Sequence, residues 1–256
     1  MHVLITNDDG INSPGIRALW EEFIGFCKVT IVAPDKERSA CSHSITVHRP
    51  LCIDKYHIAG VDIDDKNVTA YQLGGTPADC VKIAIKVLLD DTPDIIISGI
   101  NNGSNLGTEI FYSGTVSAAI EGVINGIPSM AVSLVVNEMD NYAYAAKVVK
   151  RLAVASQDKK IPNDVFLNVN IPDVAEESIK GTTVTKLGFR YYKNTFEQRL
   201  SPQNKPYYWL GGEIVDEGNE HDSDVSAIKD NKISITPVHL HFTHEETRKI
   251  IENWNI

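Results

Sequence analysis

The sequence lacks the two glycine-rich motifs by which many nucleotide-binding α/β proteins are recognised. No GxxxxGK[ST] occurs in the chain, and no GxGxxG follows its first apolar segment. Binding of ATP through a P-loop, or of NAD through a Rossmann fingerprint, is therefore not expected. No apolar run approaches the roughly 18 residues of a membrane span. The N-terminus also lacks the basic and apolar regions of a secretory signal, so no membrane partner is expected.

Basic residues and cysteines are both scarce. The 24 Lys and Arg are outnumbered by 34 Asp and Glu, which gives a formal net charge of −10. A surface that binds a nucleic-acid polymer is ordinarily basic, so such a partner is not expected, although single nucleotides are not excluded. The four cysteines show no CxxC spacing, and a chain of 256 residues does not need disulfides to fold. We expect reduced thiols in a cytoplasmic protein rather than a zinc site.

Apolar segments alternate with amphipathic ones over the first two-thirds of the chain. Strands are expected at residues 3–5, 29–33, 95–97, 130–134 and 165–171. Helices are expected to begin at Ser13-Pro14 and at Thr76-Pro77-Ala78-Asp79, and to cover residues 116–124 and 142–155. This alternation predicts an α/β fold with a Rossmann-like, mostly parallel sheet and flanking helices.

The pattern changes after residue 180. Residues 191–230 are polar, weakly periodic and aromatic at 207–209, which favours an arm rather than a plain loop. A strand is expected at residues 233–236, and Thr243-His244-Glu245-Glu246 predicts a capping box that opens a terminal helix. We therefore predict an α/β core over residues 1–180. A smaller C-terminal extension over residues 181–256 would contain a β-hairpin arm, a strand and a helix, and would serve oligomerisation.

Two adjacent carboxylates, Asp8 and Asp9, follow the first predicted strand and precede Gly10. In open α/β sheets, ligands bind just beyond the carboxyl ends of the strands. Two neighbouring acids repel each other unless a cation neutralises them, so the pair indicates a hard divalent metal ion. The alternative is a solvated Asp-Gly turn, which is common after strands.

Two further loops are expected at the same edge of the sheet. The loop 38–44 is rich in hydroxyl groups, which supply either a neutral metal ligand and phosphate hydrogen bonds or only an ordinary polar connection. The loop 98–107 contains three glycines and three asparagines. Its glycines indicate positive φ angles and a close approach of the backbone, and asparagine carbonyls are good ligands for Mg²⁺ or Mn²⁺. A tight connection without a ligand is the alternative.

The segment Tyr112-Ser113-Gly114-Thr115-Val116 opens a predicted helix. Free N–H groups and the helix dipole make such a start an anion site, although Ser113 or Thr115 could equally be a simple N-cap. The acidic pair, the neutral-oxygen loops and this phosphate cradle all fall at one end of one sheet. A divalent ion held there would orient a phosphoryl oxygen, neutralise charge and lower the pKa of a bound water. These effects together favour hydrolysis of a phosphate monoester.

These segments also carry a resemblance to a known family. The matching stretches lie in register over nearly the whole chain and comprise residues 5–10, 32–35 with Arg38-Ser39, 75–80, 98–107, 112–116 and 233–237. The chain resembles the SurE (survival protein E) family of metal-dependent 5′/3′-nucleotidases. It departs from the family pattern at Ala40, where members often have glycine, and matches poorly over residues 191–230.

The resemblance implies one divalent metal ion (Mg, Mn or Ca) held by Asp8, Asp9, Ser39 and Asn101. It further implies phosphate contacts from Asn105, Ser113, Gly114 and Thr115. The expected activity is hydrolysis of nucleoside 5′- and 3′-monophosphates to nucleoside and phosphate, with short polyphosphate as a further candidate substrate. Exchange of the C-terminal segment between protomers would give a homodimer or a homotetramer.

Several roles stay open at the level of the sequence. Asp8 or Asp9 would also be the catalytic base, but ligation and base catalysis are not separable by sequence. His43 is either a general acid, a substrate contact or neither, and His239 and His241 share a strand face on which packing or exposure is expected rather than metal binding. Two rival activities remain. An aspartyl-phosphate phosphatase places its nucleophile in a DxD pattern, whereas Asp8 and Asp9 are adjacent. A metal-gated receiver-like regulator needs a later carboxylate, which the 98–107 loop does not offer.

Overall fold

The apolar segments of the chain form the strands of a central sheet. The computed structural model describes residues 1–61, 67–135, 139–158, 161–193 and 196–254. The strands in these ranges are β1 (His2–Thr6), β2 (Lys28–Pro34), β3 (Ile53–Lys55), β4 (Val68–Leu73), β5 (Ile95–Asn102), β6 (Ser129–Val135), β7 (Val165–Pro172), β8 (Thr182–Val184), β9 (Tyr191–Lys193), β10 (Phe196–Leu200), β11 (Pro206–Leu210), β12 (Glu213–Val215) and β13 (Ile233–His239). The helices are α1 (Pro14–Phe23), α2 (Pro77–Ile83), α3 (Gly114–Ile124), α4 (Tyr142–Asp158), α5 (Asp224–Lys229) and α6 (Glu245–Ile251).

The main sheet has the strand order β3-β4-β2-β1-β5-β6-β7-β13-β8. The six strands from β4 to β7 in this order are parallel. The strands β3 and β13 run antiparallel to their neighbours β4 and β7. The chain proceeds from β1 outwards to β2 and β4, then returns to the other side of β1 with β5. The strand order therefore reverses between β1 and β5, and such a switch point leaves a crevice at the carboxyl ends of the two strands.

Helices cover both faces of this sheet. The apolar sides of α1 and α4 pack on one face in the larger core cluster, with Ile16 and Phe23 from α1 and Val149 from α4 fully buried. The other face is covered by α2 and α3, through residues such as Val81 and Ala118. Parallel strands that are covered on both sides read as continuous apolar runs, which is why residues 95–97 are all isoleucine and fully buried. The predicted α/β class with a mostly parallel sheet is confirmed.

The predicted caps of α1 and α2 agree with the structure, whereas one other helix start and one strand end do not. Ser13 caps α1, and Thr76 forms a reciprocal capping box with Asp79 at the start of α2. The terminal helix, however, is capped by His244 rather than Thr243, because the His244 ring accepts the N–H of Thr247. The strand predicted at residues 95–97 continues to Asn102, since Asn101 and Asn102 still pair with β6 after a register shift.

The C-terminal residues contribute to the main sheet and also form two separate ribbons. The strand β13 joins the sheet beside β7, whereas β9 pairs with β12 and β10 pairs with β11. The predicted hairpin arm is therefore present, although residues 194–195 of it lie outside the described residues. The division at residue 180 stays a prediction. Within the described ranges, no helix is long and apolar enough to cross a bilayer.

Candidate metal and phosphate site

The acidic pair lies at the switch point of the sheet, directly after β1. Asp8 is almost fully buried, and its backbone carbonyl accepts a 2.6 Å hydrogen bond from the N–H of Arg38, which brings the loop after β2 against it. The Oδ2 atom of Asp9 accepts the N–H of Asn102 at 3.0 Å, at the end of β5. The carboxyl ends of β1, β2 and β5 thus meet around these two side chains.

The first turn of α3 holds the carboxylate of Asp8. The N–H of Thr115 donates to Oδ2 of Asp8 at 3.0 Å, and the Thr115 hydroxyl donates to Oδ1. A Cβ atom at Gly114 would lie 2.8 Å from Cβ of Asp8 and 3.0 Å from the Sγ of Cys41. Glycine is therefore required at position 114 because the helix start and Asp8 are in direct contact.

The electrostatics of the pair favour a cation. Burial raises the pKa of Asp8, although the hydrogen bonds from Thr115 oppose this effect. Burial and then the charge of Asp8 raise the pKa of Asp9 to about 6. In the described part of the chain, no Lys or Arg forms an ion pair with either acid. Two ionised carboxylates in this position therefore have no compensating positive charge among the described residues.

The two neutral candidate ligands flank the acids. Ser39 is exposed on the loop after β2, and its hydroxyl donates to Glu37 at 2.6 Å. Asn101 is half-buried near the end of β5, and its Nδ2 donates to the carbonyl of Gly103 at 2.9 Å, so its Oδ1 is the atom that would contact a metal ion. No group of three or more His, Cys, Asp and Glu within the described ranges forms a metal cluster, so the predicted set depends on two carboxylates with neutral oxygens.

Three of the four predicted phosphate contacts, Ser113, Gly114 and Thr115, lie at the start of α3 beside Asp8. The Ser113 side chain caps α3 by accepting the N–H of Val116 at 3.1 Å, so the N-cap alternative is correct for this residue. Both donors of Thr115 are directed at Asp8. Asn105 is buried, and its Nδ2 donates to Ser133 at 2.7 Å. Asp8 thus occupies the helix start where the sequence predicts an anion, and contacts of these residues with phosphate stay a prediction.

Comparison with known proteins identifies the family to which this fold and site belong. The family model described as Survival protein SurE matches residues 3–194. The chain belongs to the SurE family. It is 46% identical over 257 residues to a 5′-nucleotidase SurE of Alkaliphilus metalliredigens, with 100% of this chain and 99% of that protein covered. It is 47% identical over 260 residues to a 5′-nucleotidase SurE of Carboxydothermus hydrogenoformans, at 99% and 96% coverage.

A solved member of the SurE family has the same overall structure. The crystal structure of the SurE protein from Aquifex aeolicus matches this fold with a TM-score of 0.84 at 40% sequence identity, covering 98% of each chain. The family resemblance read from the motifs is therefore confirmed.

The glycines of the 98–107 loop have the conformations expected of them in this SurE-family chain. Gly99, Gly103 and Gly107 have φ angles of +143°, +131° and +53°. The close approach is to protein rather than to a ligand, because a Cβ at Gly99 would lie 2.4 Å from the carbonyl oxygen of Val132. The loop is therefore built against β6.

Two of the three histidines discussed above, His43 and His241, are paired with acids. The Nε2 atom of His43 lies 3.2 Å from Oε2 of Glu121, a buried residue of α3 that also accepts the Nζ of Lys82 at 2.9 Å. His241, which is exposed, lies 3.0 Å from Asp164, so the sequence analysis missed an acidic partner there. The exposure expected for His239 and His241 is correct.

Three charged residues beside the site were not anticipated from the sequence. Arg190 contacts Glu109 at 3.1 Å, and Asp224 is fully buried and accepts the N–H of Gly107 at 2.8 Å. These partners are 81 and 117 positions apart, so no local spacing could indicate them. The surrounding residues 191–230 match the family pattern poorly, and that mismatch does not indicate these contacts.

Proposed function

We propose that this SurE-family protein is a divalent-metal-dependent 5′-nucleotidase that hydrolyses nucleoside monophosphates to nucleoside and phosphate. The observation that carries the proposal is the pair of buried Asp8 and half-buried Asp9, which lies at the switch point of the sheet without a basic partner in the described part of the chain. The two relatives at 46% and 47% identity, both named 5′-nucleotidase, support it. Nucleoside 3′-monophosphates and short polyphosphate are further candidate substrates of the same site.

The donor set fits a hard divalent cation. Asp8 and Asp9 provide negative oxygens, and Ser39 and Asn101 provide neutral ones, which is the ligand chemistry of Mg²⁺, Mn²⁺ and Ca²⁺. Among these, Mn²⁺ is expected to bind more tightly than Mg²⁺. When bound, the ion would act as a Lewis acid toward the phosphoryl group and lower the pKa of water in the site.

The protein's own groups hold the reactants in place. Thr115 orients Asp8, whose two carboxylate oxygens are both occupied by hydrogen bonds. Asp9 is less buried, and one of its oxygens accepts the N–H of Asn102. We therefore assign to Asp9 the role of accepting the proton from the water that attacks phosphorus. The start of α3, whose Thr115 donors are taken by Asp8, would contribute its helix dipole, and the amide of Asn105 a hydrogen bond, to stabilise the phosphoryl oxygens.

The proposal includes self-association through the C-terminal arm. The ribbon β10–β11 is exposed on both faces and carries large apolar side chains, among them Phe196, Trp209 and Leu210 at 69%, 58% and 74% exposure. A two-stranded ribbon is marginally stable by itself, and exposed apolar patches of this kind mark interaction sites. A second copy of the chain is the proposed partner, giving a homodimer or a homotetramer. The four unpaired cysteines agree with the predicted cytoplasmic location.

The test is phosphate release from a panel of nucleoside 5′- and 3′-monophosphates with Mn²⁺, with Mg²⁺ and with a chelator. We expect turnover that requires metal and falls by about a thousandfold or more in Asp9→Asn, because both the metal ligand and the base are lost. The exposed Asp230→Asn serves as the matched control. Metal binding without phosphate release would contradict the proposal, and so would release that survives thorough chelation.

A further inference from the structure

We propose that the C-terminal region positions the 104–109 loop, which carries Asn105, through two buried charged residues, Arg190 and Asp224. The inference rests on the proposed function, because Asn105 is one of its phosphate contacts. Neither charged residue lies among the predicted metal ligands or phosphate contacts. They act as positioning residues, since their contacts are with the loop that carries Asn105.

Asp224 joins the loop to the segment after β8. Its Oδ2 accepts the N–H of Gly107 at 2.8 Å, and its Oδ1 accepts the N–H groups of Gly188 and Val225 at 2.8 Å each. The residue is fully buried. A Cβ at Gly107 would lie 2.7 Å from the carbonyl oxygen of Gly188, so the two backbones are in contact without room for a side chain. These contacts hold the loop in one position relative to the segment after β8.

Arg190 provides the second connection. Its guanidinium forms a two-pronged contact with Asp216, at 2.7 and 2.9 Å, which fixes the plane of the group. The remaining Nη1 donates to the hydroxyl of Ser104 at 2.9 Å and to Oε2 of Glu109 at 3.1 Å. The same Glu109 oxygen accepts the N–H of Leu106 at 3.0 Å. Both ends of the loop are thus tied to one arginine of the C-terminal region.

Asn105 is held from two sides by these contacts. On the sheet side its N–H donates to Asn170 at 2.9 Å and its Nδ2 to Ser133 at 2.7 Å. On the other side, the Arg190 and Asp224 contacts close the loop. Arg190 is only 9% exposed, and buried charges of this kind favour one geometry strongly because removing a partner leaves an uncompensated charge. Small displacements of a positioning group are costly for catalysis.

The experiment compares Arg190→Ala and Arg190→Lys with Lys186→Ala, which removes an exposed ion pair of the same region that does not touch the loop. With Mn²⁺, we expect Arg190→Ala to raise the KM for a nucleoside monophosphate and the inhibition constant of inorganic phosphate by about tenfold, the scale of one charged hydrogen bond. The kcat changes less, the dissociation constant of Mn²⁺ stays as in wild type, and Arg190→Lys recovers part of the loss. Amide exchange at Leu106 and Gly107 becomes faster while exchange in β1 and β5 does not.

Should Arg190→Ala fail to fold, Glu109→Gln is the second variant, because it keeps the shape of the side chain and weakens the same contact. A folded variant with unchanged KM, unchanged phosphate inhibition and unchanged amide exchange would overturn the inference. A wild-type enzyme without turnover would overturn the proposed function instead, and the exchange rates at Leu106 and Gly107 would still test the positioning of the loop.

Discussion

Thr115 donates two hydrogen bonds to Asp8, one from its backbone N–H and one from its hydroxyl, across 107 positions of sequence. The first turn of α3 therefore orients an acid that follows β1. The positive end of a helix stabilises a carboxylate. Burial has the larger and opposite effect and raises the pKa of Asp8. Thr115 thus orients Asp8, and no ion pair within the described residues compensates its charge, as expected of a carboxylate that would bind a cation.

Gly114→Ala is expected to reduce phosphate release by tenfold or more, on the order of what a displacement of a positioned group costs. The added Cβ would lie 2.8 Å from Cβ of Asp8 and force the carboxylate away from α3. The measurement is kcat/KM together with the thermal unfolding midpoint. Gly74→Ala is the control, because its Cβ has no neighbour closer than 3.9 Å. Equal kinetics in both variants would show that contact between α3 and Asp8 is unimportant for activity.

Ser39→Ala and Asn101→Ala are each expected to weaken Mn²⁺ binding by about tenfold or more, the scale of one contact to a charged group. Each removes a neutral oxygen and leaves both carboxylates in place. Isothermal titration of the purified protein with MnCl₂ measures the effect without any substrate. Ser42→Ala tests the specificity. Ser42 lies in the same loop as Ser39, but its hydroxyl donates to the carbonyl of Phe111. A fully retained affinity in Ser39→Ala or Asn101→Ala would remove that residue from the ligand set.

Glu121→Gln is expected to lower the free energy of unfolding at pH 7 by about 1–3 kcal/mol, the range for hydrogen bonds to a charged group. Burial opposes the ionisation of Glu121, but hydrogen bonds from His43 and Lys82 outweigh it, and its pKa falls below the ordinary 4.5. A lowered pKa stabilises the fold above pH 4.5, and this contribution disappears as pH falls through the folded-state pKa.

Urea unfolding at pH 7 and at about pH 3 checks this expectation, since the difference between wild type and Glu121→Gln must shrink at the lower pH. The exposed Glu177→Gln serves as the control. A difference that is the same at both pH values would mean that charge on Glu121 contributes nothing to stability.

The double substitution Trp209→Lys and Leu210→Lys is expected to reduce the proposed homo-oligomer to a smaller species. The two side chains belong to β11 and are 58% and 74% exposed, so charges there are tolerated in a single chain but not at an apolar interface. Light scattering after size-exclusion chromatography gives the mass of each species. Val87→Lys, at a comparably exposed apolar residue outside the arm, should leave the mass unchanged. A wild-type chain that is already monomeric would refute self-association.

The parts of this fold that were predictable carry a local signal. Continuous apolar runs indicated β1, β2, β5, β6 and β7, because strands covered on both faces need them. A Ser-Pro and a Thr-Pro pair indicated the starts of α1 and α2. The strand β4 was not expected, because its burial pattern neither alternates fully nor stays apolar. The sequence of the arm shows no regular alternation of apolar and polar residues, since both faces of β10 and β11 are exposed.

The site was predictable only in its outline. Asp8, Asp9 and the loop at residues 98–107 could be assigned to one sheet edge, since parallel strands end there together. The pairing of His43 with Glu121 depends on residues 78 positions apart, and that of Arg190 with Glu109 on residues 81 apart. Such contacts arise from packing of distant elements and leave no spacing in the sequence. For the same reason the hydrogen bonds from Thr115 to Asp8 could not be foreseen.

Among the described strands, β13 comes last in the chain, yet it lies inside the sheet between β7 and β8. Among the described strands, β8 pairs with β13 alone. While residues 233–239 are still within the ribosome, β7 therefore presents an open edge, which is a template for aggregation. A chain that stops before Ile233 keeps this edge permanently. Synthesis of β13, rather than of the core that carries Asp8, is the event that closes the sheet.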